Sequence, residues 1–588
     1  MHRFILVALA LLSACATIPR PESVAPVQVR IIAFNDFHGA LEPPHSAIPA
    51  AGPDGGEVRV PAGGAAYFAS AVHRLRAGHP NNLVVAAGDL ISASPLVSAA
   101  FLDEPTVLAM NGIGLDFNAV GNHEFDRGRA ELLRMQNGGC ARHTNREPCR
   151  LDPDFPGARF RFLAANVLTE DGGTLFPAYA IRRFGRGPRE VRVGIIGLTL
   201  HEAATLVTPA GVAGLRFADE ADTINALVPR LKAEGADAIV VLIHQGLDTE
   251  GRYNDPSCPG VSGDLLPILT RLDPAIDLVV SGHTHHSYLC DYGRIDPSRP
   301  ILVTSAERSG TILTAIDLSI DPAQGRVVAR HAEQTIVQSE PFSNARGPVA
   351  LSAAYPRFEP DPRTAALVSR YAAAAAPVAG RVIGRLQGPA VRESTASGES
   401  VLGDLIADAH LAATRAPENG GAQVAFTNQY SVRADVVPAG DGGVTFGQLF
   451  TAQPFGNNLM VKSMTGRQIR AVLEQQFASG TNTVENPNML LPSRGLTYSY
   501  DLRRPEGRRI LDLQLDGAPI RDEAIYRVTM NSFLATGADN FTMFREGTGT
   551  LGGPLDIDAL ERYIAAGSPL ALPAADRIRR LSPPADAR

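Results

Sequence analysis

Lysine is almost missing from this chain: Lys232 and Lys462 are the only two, and arginine supplies the remaining fixed positive charge. No basic run offers a track for a polyanion, and a formal net charge of -7 gives no electrostatic bias toward nucleic acid. Cysteine is scarce too. Its five residues, Cys15, Cys140, Cys149, Cys258 and Cys290, form no Cys-x-x-Cys pair, so the commonest spacing of a structural zinc site is absent. No internal repeat is found, which argues against a repeat architecture. The apolar run Phe4 to Leu12 is too short to cross a bilayer as a helix, for which about 20 residues are needed.

What is present is the composition of an ordinary soluble protein, 45% hydrophobic and 20% charged over 588 residues. That length exceeds one core and points to a multidomain enzyme. Arg3, the apolar run and the small residues up to Cys15 read as a secretory signal. Leu12-Ser13-Ala14-Cys15 further resembles a bacterial lipobox, in which the cysteine is acylated; the alternative is a plain signal peptide with an incidental cysteine. The expectation is a signal over 1–15, a Pro-rich tether over 16–26 and a lipoprotein held in the periplasm by its lipid alone. Ala16 in place of Asp implies the outer membrane under the usual sorting rule. With Cys15 acylated, four cysteines remain for an oxidising compartment, and the expected pairs are Cys140 with Cys149 and Cys258 with Cys290. Four free thiols or a metal site are the alternative.

Short β-branched runs recur through the first half: "VQVRIIAF", "NNLVVAA", "FNAVG", "FRFLAANV", "VRVGIIGL", "DAIVVLI" and "IDLVVSG". Each has the length of a buried strand. Helical patterns at 64–77 and 219–234 lie between some of them, so residues 27–340 read as an α/β domain. A Pro-rich stretch and an Ala-rich helix over 341–377 read as a connection. Residues 378–580 read as α+β, with helices at "LGDLIADAHLAATR" and "TGRQIRAVLEQQFAS" and strands near "AQVAFTNQ", "LTYSYD" and "YRVTMNSFL".

Chemistry collects where the apolar runs end. One run leads to Asp36 and His38, a second to Asp89, a third to Asn122, His123 and Asp126, a fourth to His244 and a fifth to His283 and His285. Ligands of α/β sheets usually bind at these carboxyl ends. Asp36 and His38, like His283 and His285, are two apart, a spacing that points both side chains to one side of an extended segment. A single histidine after a strand is commonly structural; five such coincidences on one sheet are hard to assign to packing. Three carboxylate or amide groups with four imidazoles exceed one tetrahedral zinc and suit two cations sharing a carboxylate. Glu124, His286 and His201 read as outer or structural groups, and Asp408 and His410 as core or surface of a helix.

The ordered set "FNDFHG", "AAGDLIS", "VGNHEFDRG", a lone histidine and "SGHTHH" resembles the calcineurin-like metallophosphoesterases, in their 5'-nucleotidase and UDP-sugar hydrolase branch. The resemblance implies an α/β sandwich over about 28–325, a hydrolase, and two divalent cations, with Zn2+, Mn2+ or Co2+ expected. It implies one cation at Asp36, His38, Asp89 and His285, and a second at Asp89, Asn122, His244 and His283, with Asp89 bridging. It implies that His123, oriented by Asp126, is the catalytic histidine.

The second half resembles the family's substrate domain through "ESVLGDLIADA", "PFGNNLM" and "NSFLATGADNF". There the likeness implies that Phe455 and Phe533 stack a base, that Asp539 meets ribose or base, and that Asn428, Arg433 and, by a looser match, Arg392 meet substrate. Gln429, Tyr430 and Ser431 stand where the family has glycines, a departure that bears on substrate pose and on nucleotide preference. The expected partner is a nucleotide or nucleotide sugar, not a nucleic-acid polymer. Competing expectations are a 2',3'-cyclic phosphodiesterase/3'-nucleotidase, a thiosulfohydrolase-like relative, and a surface lipoprotein that binds nucleotide or a partner without turnover.

Overall fold

The computed structural model describes residues 25–582 apart from 53–55, 145, 208, 252 and 345–346. Cys15 and all of the expected tether before residue 25 lie outside the described residues.

Two six-stranded sheets stack in the first half. One runs in the order Arg326–Ile336, Ile312–Asp321, Val27–Phe34, Asn82–Ala86, Phe117–Ala119 and Arg161–Leu163. The other runs Ser287–Asp291, Leu302–Ala306, Leu278–Ser281, Ala238–His244, Val191–Thr199 and Tyr179–Phe184. Side chains alternate along Val27–Phe34: Val29, Ile31 and Ala33 meet Val240 and Leu242 of the opposite sheet, while Ile32 and Phe34 meet Phe68 and Val72 of the helix Ala65–Arg76. From Ile31 onward both faces are covered and the strand is continuously apolar, whereas Gln28 and Arg30 near its start are exposed and half-buried. The outer face of the second sheet, with Ile196, Val241 and Val279, packs on Ile224 and Leu231 of the helix Glu220–Ala233. Asp219 starts that helix by accepting the Asp222 N–H. The result is four layers, helix, sheet, sheet, helix.

Val27–Phe34, Asn82–Ala86 and Phe117–Ala119 are mutually parallel, as are Val191–Thr199, Ala238–His244 and Leu278–Ser281. Their carboxyl ends meet at one edge of the sandwich and carry the candidate site. Two disulfides are present: Cys140 pairs with Cys149, with Cα atoms 5.6 Å apart, and Cys258 with Cys290, with Cα atoms 5.2 Å apart.

The second half has a five-stranded sheet, in the order Leu490–Pro492, Val424–Asn428, Ile525–Asn531, Asn458–Thr465 and Thr548–Leu555, and a four-stranded one around Leu496–Tyr500 and Ile510–Leu515. The helix Gly466–Glu474 opens with a reciprocal capping box between Thr465 and Gln468. The helix Pro362–Ala379, inside the stretch read as a connection, is firmly packed. Tyr371 is fully buried, edge-on to Phe101 at 4.9 Å, with its hydroxyl on Asp152. One apolar cluster runs from Phe68 and Met110 through Tyr371 to Leu405, Phe446 and Leu560, so the two halves share a core. Among the described residues no helix is long and apolar enough to cross a membrane.

Candidate active site

Asp36, His38, Asp89, His283 and His285 all adopt positive φ, between 46 and 70°. None is glycine, so each stores backbone strain of the kind that accumulates at functional sites. The sequence spacing suggested extended segments with side chains pointing one way. The structure converges them differently, through left-handed turns just past the strand ends.

These turns produce two clusters of metal-competent atoms, Asp36 with His38 and His285, and Asp89 with His244 and His283, each within 4.8 Å. Asp89 reaches both: its Oδ2 is 2.9 Å from His244 Nε2 and 3.8 Å from His38 Nε2. Asp36 Oδ1 lies 3.3 Å from His285 Nε2, and the facing Nε2 atoms of His38 and His285 are 3.2 Å apart. The packing tolerates no side chain in two adjoining places. A Cβ on Gly121 would fall 2.1 Å from Asp89 Oδ1, and one on Gly88, at φ +89°, would fall 2.6 Å from His244 Nδ1.

The donor set fits divalent cations. His38 places Nδ1 on the carbonyl of Ser92 at 3.0 Å and His244 places Nδ1 on the carbonyl of Ala87 at 2.8 Å. A carbonyl only accepts, so each ring carries a proton on Nδ1 and turns Nε2 toward the site, where it is free to ligate only in the neutral ring. Burial pushes His38 down to about 3 and His283 down to about 4, which keeps both neutral and ready to ligate. For His244 burial is outweighed by the Asp89 carboxylate, which raises it to about 9; a cation binding there must displace that proton. Asn122 contributes an orphan, a buried Oδ1 without a hydrogen-bond partner.

His123 stands beside the clusters, its ring 5.1 Å from that of His38. Its Nδ1 is 2.7 Å from Asp126 Oδ2, and its backbone N–H donates to Asp89 Oδ1 at 3.0 Å. Burial disfavours the charged ring, yet Asp126 and Asp89 prevail and lift it to about 10. Glu124 lies underneath and accepts the N–H groups of Asp89, Leu90 and Gly121 at 2.9, 2.8 and 2.7 Å, tying together the turns that carry Asp89 and Asn122. His286 points elsewhere, to Asp248 at 3.2 Å, and His201 is exposed. Asp408 pairs with Arg577 at 2.9 Å, and His410 is buried on the same helix.

Three groups escaped the sequence reading. Asn35 donates to Asp36 Oδ2 at 2.7 Å, Arg308 Nη1 is 3.4 Å from His285 Nδ1, and Asn458 donates to Asp126 Oδ1 at 3.2 Å. Asn35 and Asn458 sit inside the quoted motifs, which was the available signal; Arg308 had none.

In the second half Phe455 and Phe533 remain 48% and 46% exposed, unusual for phenyl rings in a packed domain. The Arg433 guanidinium lies 5.7 Å from the Phe455 ring centre, and Asn428 donates to Asp539 Oδ2 at 2.6 Å. Ser532, next to Phe533, is 3.4 Å from Asn457 Oδ1, so the segments carrying both rings are neighbours. Arg392 is exposed, and its backbone N–H is held by Asp435 at 2.9 Å. Gln429–Ser431 form a single 3-10 turn with none of the three in the left-handed region, so the backbone there makes no demand for glycine.

Residues 29–287 match the calcineurin-like phosphoesterases, and residues 382–546 match the 5'-nucleotidase C-terminal domain. The chain belongs to this two-part phosphoesterase family. It is accordingly a hydrolase of phosphoester bonds. An uncharacterised protein of Acinetobacter calcoaceticus is 51% identical over 187 residues, 30% of this phosphoesterase and 92% of that protein. The endonuclease YhcR of Bacillus subtilis is 29% identical over 559 residues, and the match spans 94% of this chain but only 41% of YhcR. The crystal structure of a 5'-nucleotidase precursor from Thermus thermophilus superposes on the phosphoesterase with a TM-score of 0.52 at 25% identity, over 94% of this chain and 99% of that one.

Proposed function

We propose that the protein removes the phosphate of 5'-nucleotides with two divalent cations, one at Asp36, His38, Asp89 and His285 and the other at Asp89, Asn122, His244 and His283. The observation that carries this reading is the placement of one buried carboxylate, Asp89, against both histidine clusters. A cation pair, when bound, supplies neutralisation of phosphoryl charge and a lowered pKa for a bound water. His123, held by Asp126 and favoured in its charged form, stabilises the developing charge and gives its proton to the leaving oxygen. Phe455 and Phe533 offer exposed faces to a base, with Arg433, Asn428 and Asp539 beside them to orient the nucleotide. Arg392 is assigned to the same surface as a more remote contact. The division of labour proposed is phosphate chemistry in 27–340 and substrate recognition in 378–580, joined by 341–377.

UDP-sugars are proposed as further substrates. The site is proposed to work outside the cytoplasm, with Cys15 acylated and the chain anchored to the outer membrane; two cysteine pairs in bonded geometry support an oxidising compartment. The test is to strip the protein with chelator, restore Zn2+, Mn2+, Co2+ or Mg2+ singly, and assay AMP, UDP-glucose, a 2',3'-cyclic nucleotide and phenyl phosphate. AMP turnover that returns only with metal is the expected result. Preference for the cyclic nucleotide, or AMP turnover that survives chelation, would overturn it.

A further inference from the structure

Phe455-Gly456-Asn457-Asn458 end the connection that leads from the helix Phe446–Ala452 into the strand Asn458–Thr465, of which Asn458 is the first residue. The turn touches the first half at two places. Gly456, at φ +61°, lies so close that a Cβ there would be 3.0 Å from Ala93 Cα. Ala93 follows Ser92, whose carbonyl holds His38 Nδ1. Asn458, 3% exposed, donates from Nδ2 to Asp126 Oδ1 at 3.2 Å and lies 3.5 Å from the Gly553 carbonyl. The other oxygen of Asp126 holds His123 Nδ1. The same turn begins with Phe455 and, through Asn457, neighbours the segment of Phe533.

Asn458 is fixed by its donor alone. Its Oδ1 is buried without a hydrogen-bond partner, a cost that an apolar side chain of similar volume would avoid. A strand residue chosen only for packing has no reason to carry that cost. An amide does here what an apolar group cannot: it donates to the outward oxygen of a carboxylate and leaves the inward oxygen to the imidazole. A carboxylate held from both sides cannot rotate away from His123.

We propose that Asn458 is a positioning residue which, from the half that carries the nucleoside-facing rings, locks Asp126 in the orientation that serves His123. The proposal rests on the reading of His123 and Asp126 as the acid-base pair. It implies that the catalytic arrangement is complete only while the Phe455–Asn458 turn is seated on the first half.

The experiment uses the full, metal-reconstituted chain with AMP and phenyl phosphate as substrates. Asn458→Ala is expected to lower kcat about tenfold for both, the scale of losing one hydrogen bond to a charged group, with the KM for AMP within about twofold and metal content unchanged. Asn458→Leu, which keeps the volume and lacks the donor, should behave alike and guards against a folding defect in the alanine variant. In an Asp126→Ala background, Asn458→Ala should cost nothing further, because its partner is gone. Unchanged kcat in both single variants, a rise in KM alone, or full additivity with Asp126→Ala would overturn the proposal. Should Asp126→Ala by itself leave kcat intact, the acid-base pair is misassigned, and the positioning role falls with it.

Discussion

Asp89 Oδ2 lies 2.9 Å from His244 Nε2, while Oδ1 of the same carboxylate accepts the backbone N–H of His123. One buried side chain thus touches a candidate ligand and the segment bearing the candidate acid. Asp89→Asn keeps the shape and removes the charge that would be shared by two cations. The expected outcome is loss of at least one bound metal per chain by elemental analysis, with activity falling in parallel. Full metal content with near-normal turnover would dismiss the bridging role.

His123→Ala should separate metal binding from chemistry. The ring approaches His38 without being needed in either cluster, so both metals should be retained while kcat falls about 10²- to 10⁴-fold, the range for a positioned acid-base group. Metal content that drops together with activity would make His123 a ligand instead.

How much of this could be read beforehand depends on distance along the chain. Asp36, Asp89, Asn122, His244 and His283 each follow a β-branched run whose ends must align once the strands pair in parallel, so their convergence was legible. The left-handed turns at Asp36, His38, Asp89, His283 and His285 were not, because Asp and His enter that region more readily than most residues but still only in a small minority of cases; the surrounding fold imposes it here. The strands Ile312–Asp321 and Arg326–Ile336 also escaped notice. The latter, at the sheet edge, is largely open to solvent and lacks the continuous apolar signature of the buried ones. The bond from Asn458 to Asp126 joins residues 332 apart and depends on how the two halves dock. Read as part of a connection, the helix Pro362–Ala379 betrayed its burial only through Tyr371, one aromatic among alanines.

A pH-dependent stability effect is expected away from the metal clusters. Asp556, at the start of the helix Asp556–Gly567, is buried, and burial raises it from 3.8 to about 7 against the opposing hydrogen bond from the Ile557 N–H. Between those values the native state keeps a proton that the unfolded chain has released, so folding stability contributed here declines as pH rises from about 4 to about 7. Asp556→Asn cannot ionise. The variant should melt a few degrees higher, relative to the parent, at pH 8 than at pH 5. An equal offset at both values would mean that Asp556 is not protonated in the folded protein.

The nucleoside reading is tested most directly at the two exposed rings. If Phe455 and Phe533 hold a base between them, replacing either by Ala removes stacking worth about 1 to 3 kcal/mol per base. The kcat/KM for AMP should then fall roughly ten- to a hundredfold. Phenyl phosphate, with no base to stack, should change little. The ratio between the two substrates is the informative quantity, since lost metal or a weakened fold lowers both together. For Phe455→Ala the comparison is sharper still: Gly456 and Asn458, which seat the turn on Ala93 and Asp126, are untouched, so an unaltered phenyl phosphate rate would also report that the seat has survived. Equal losses on both substrates, or none on AMP, would remove the nucleotide from the assignment and leave a phosphohydrolase whose second half recognises something without a planar base.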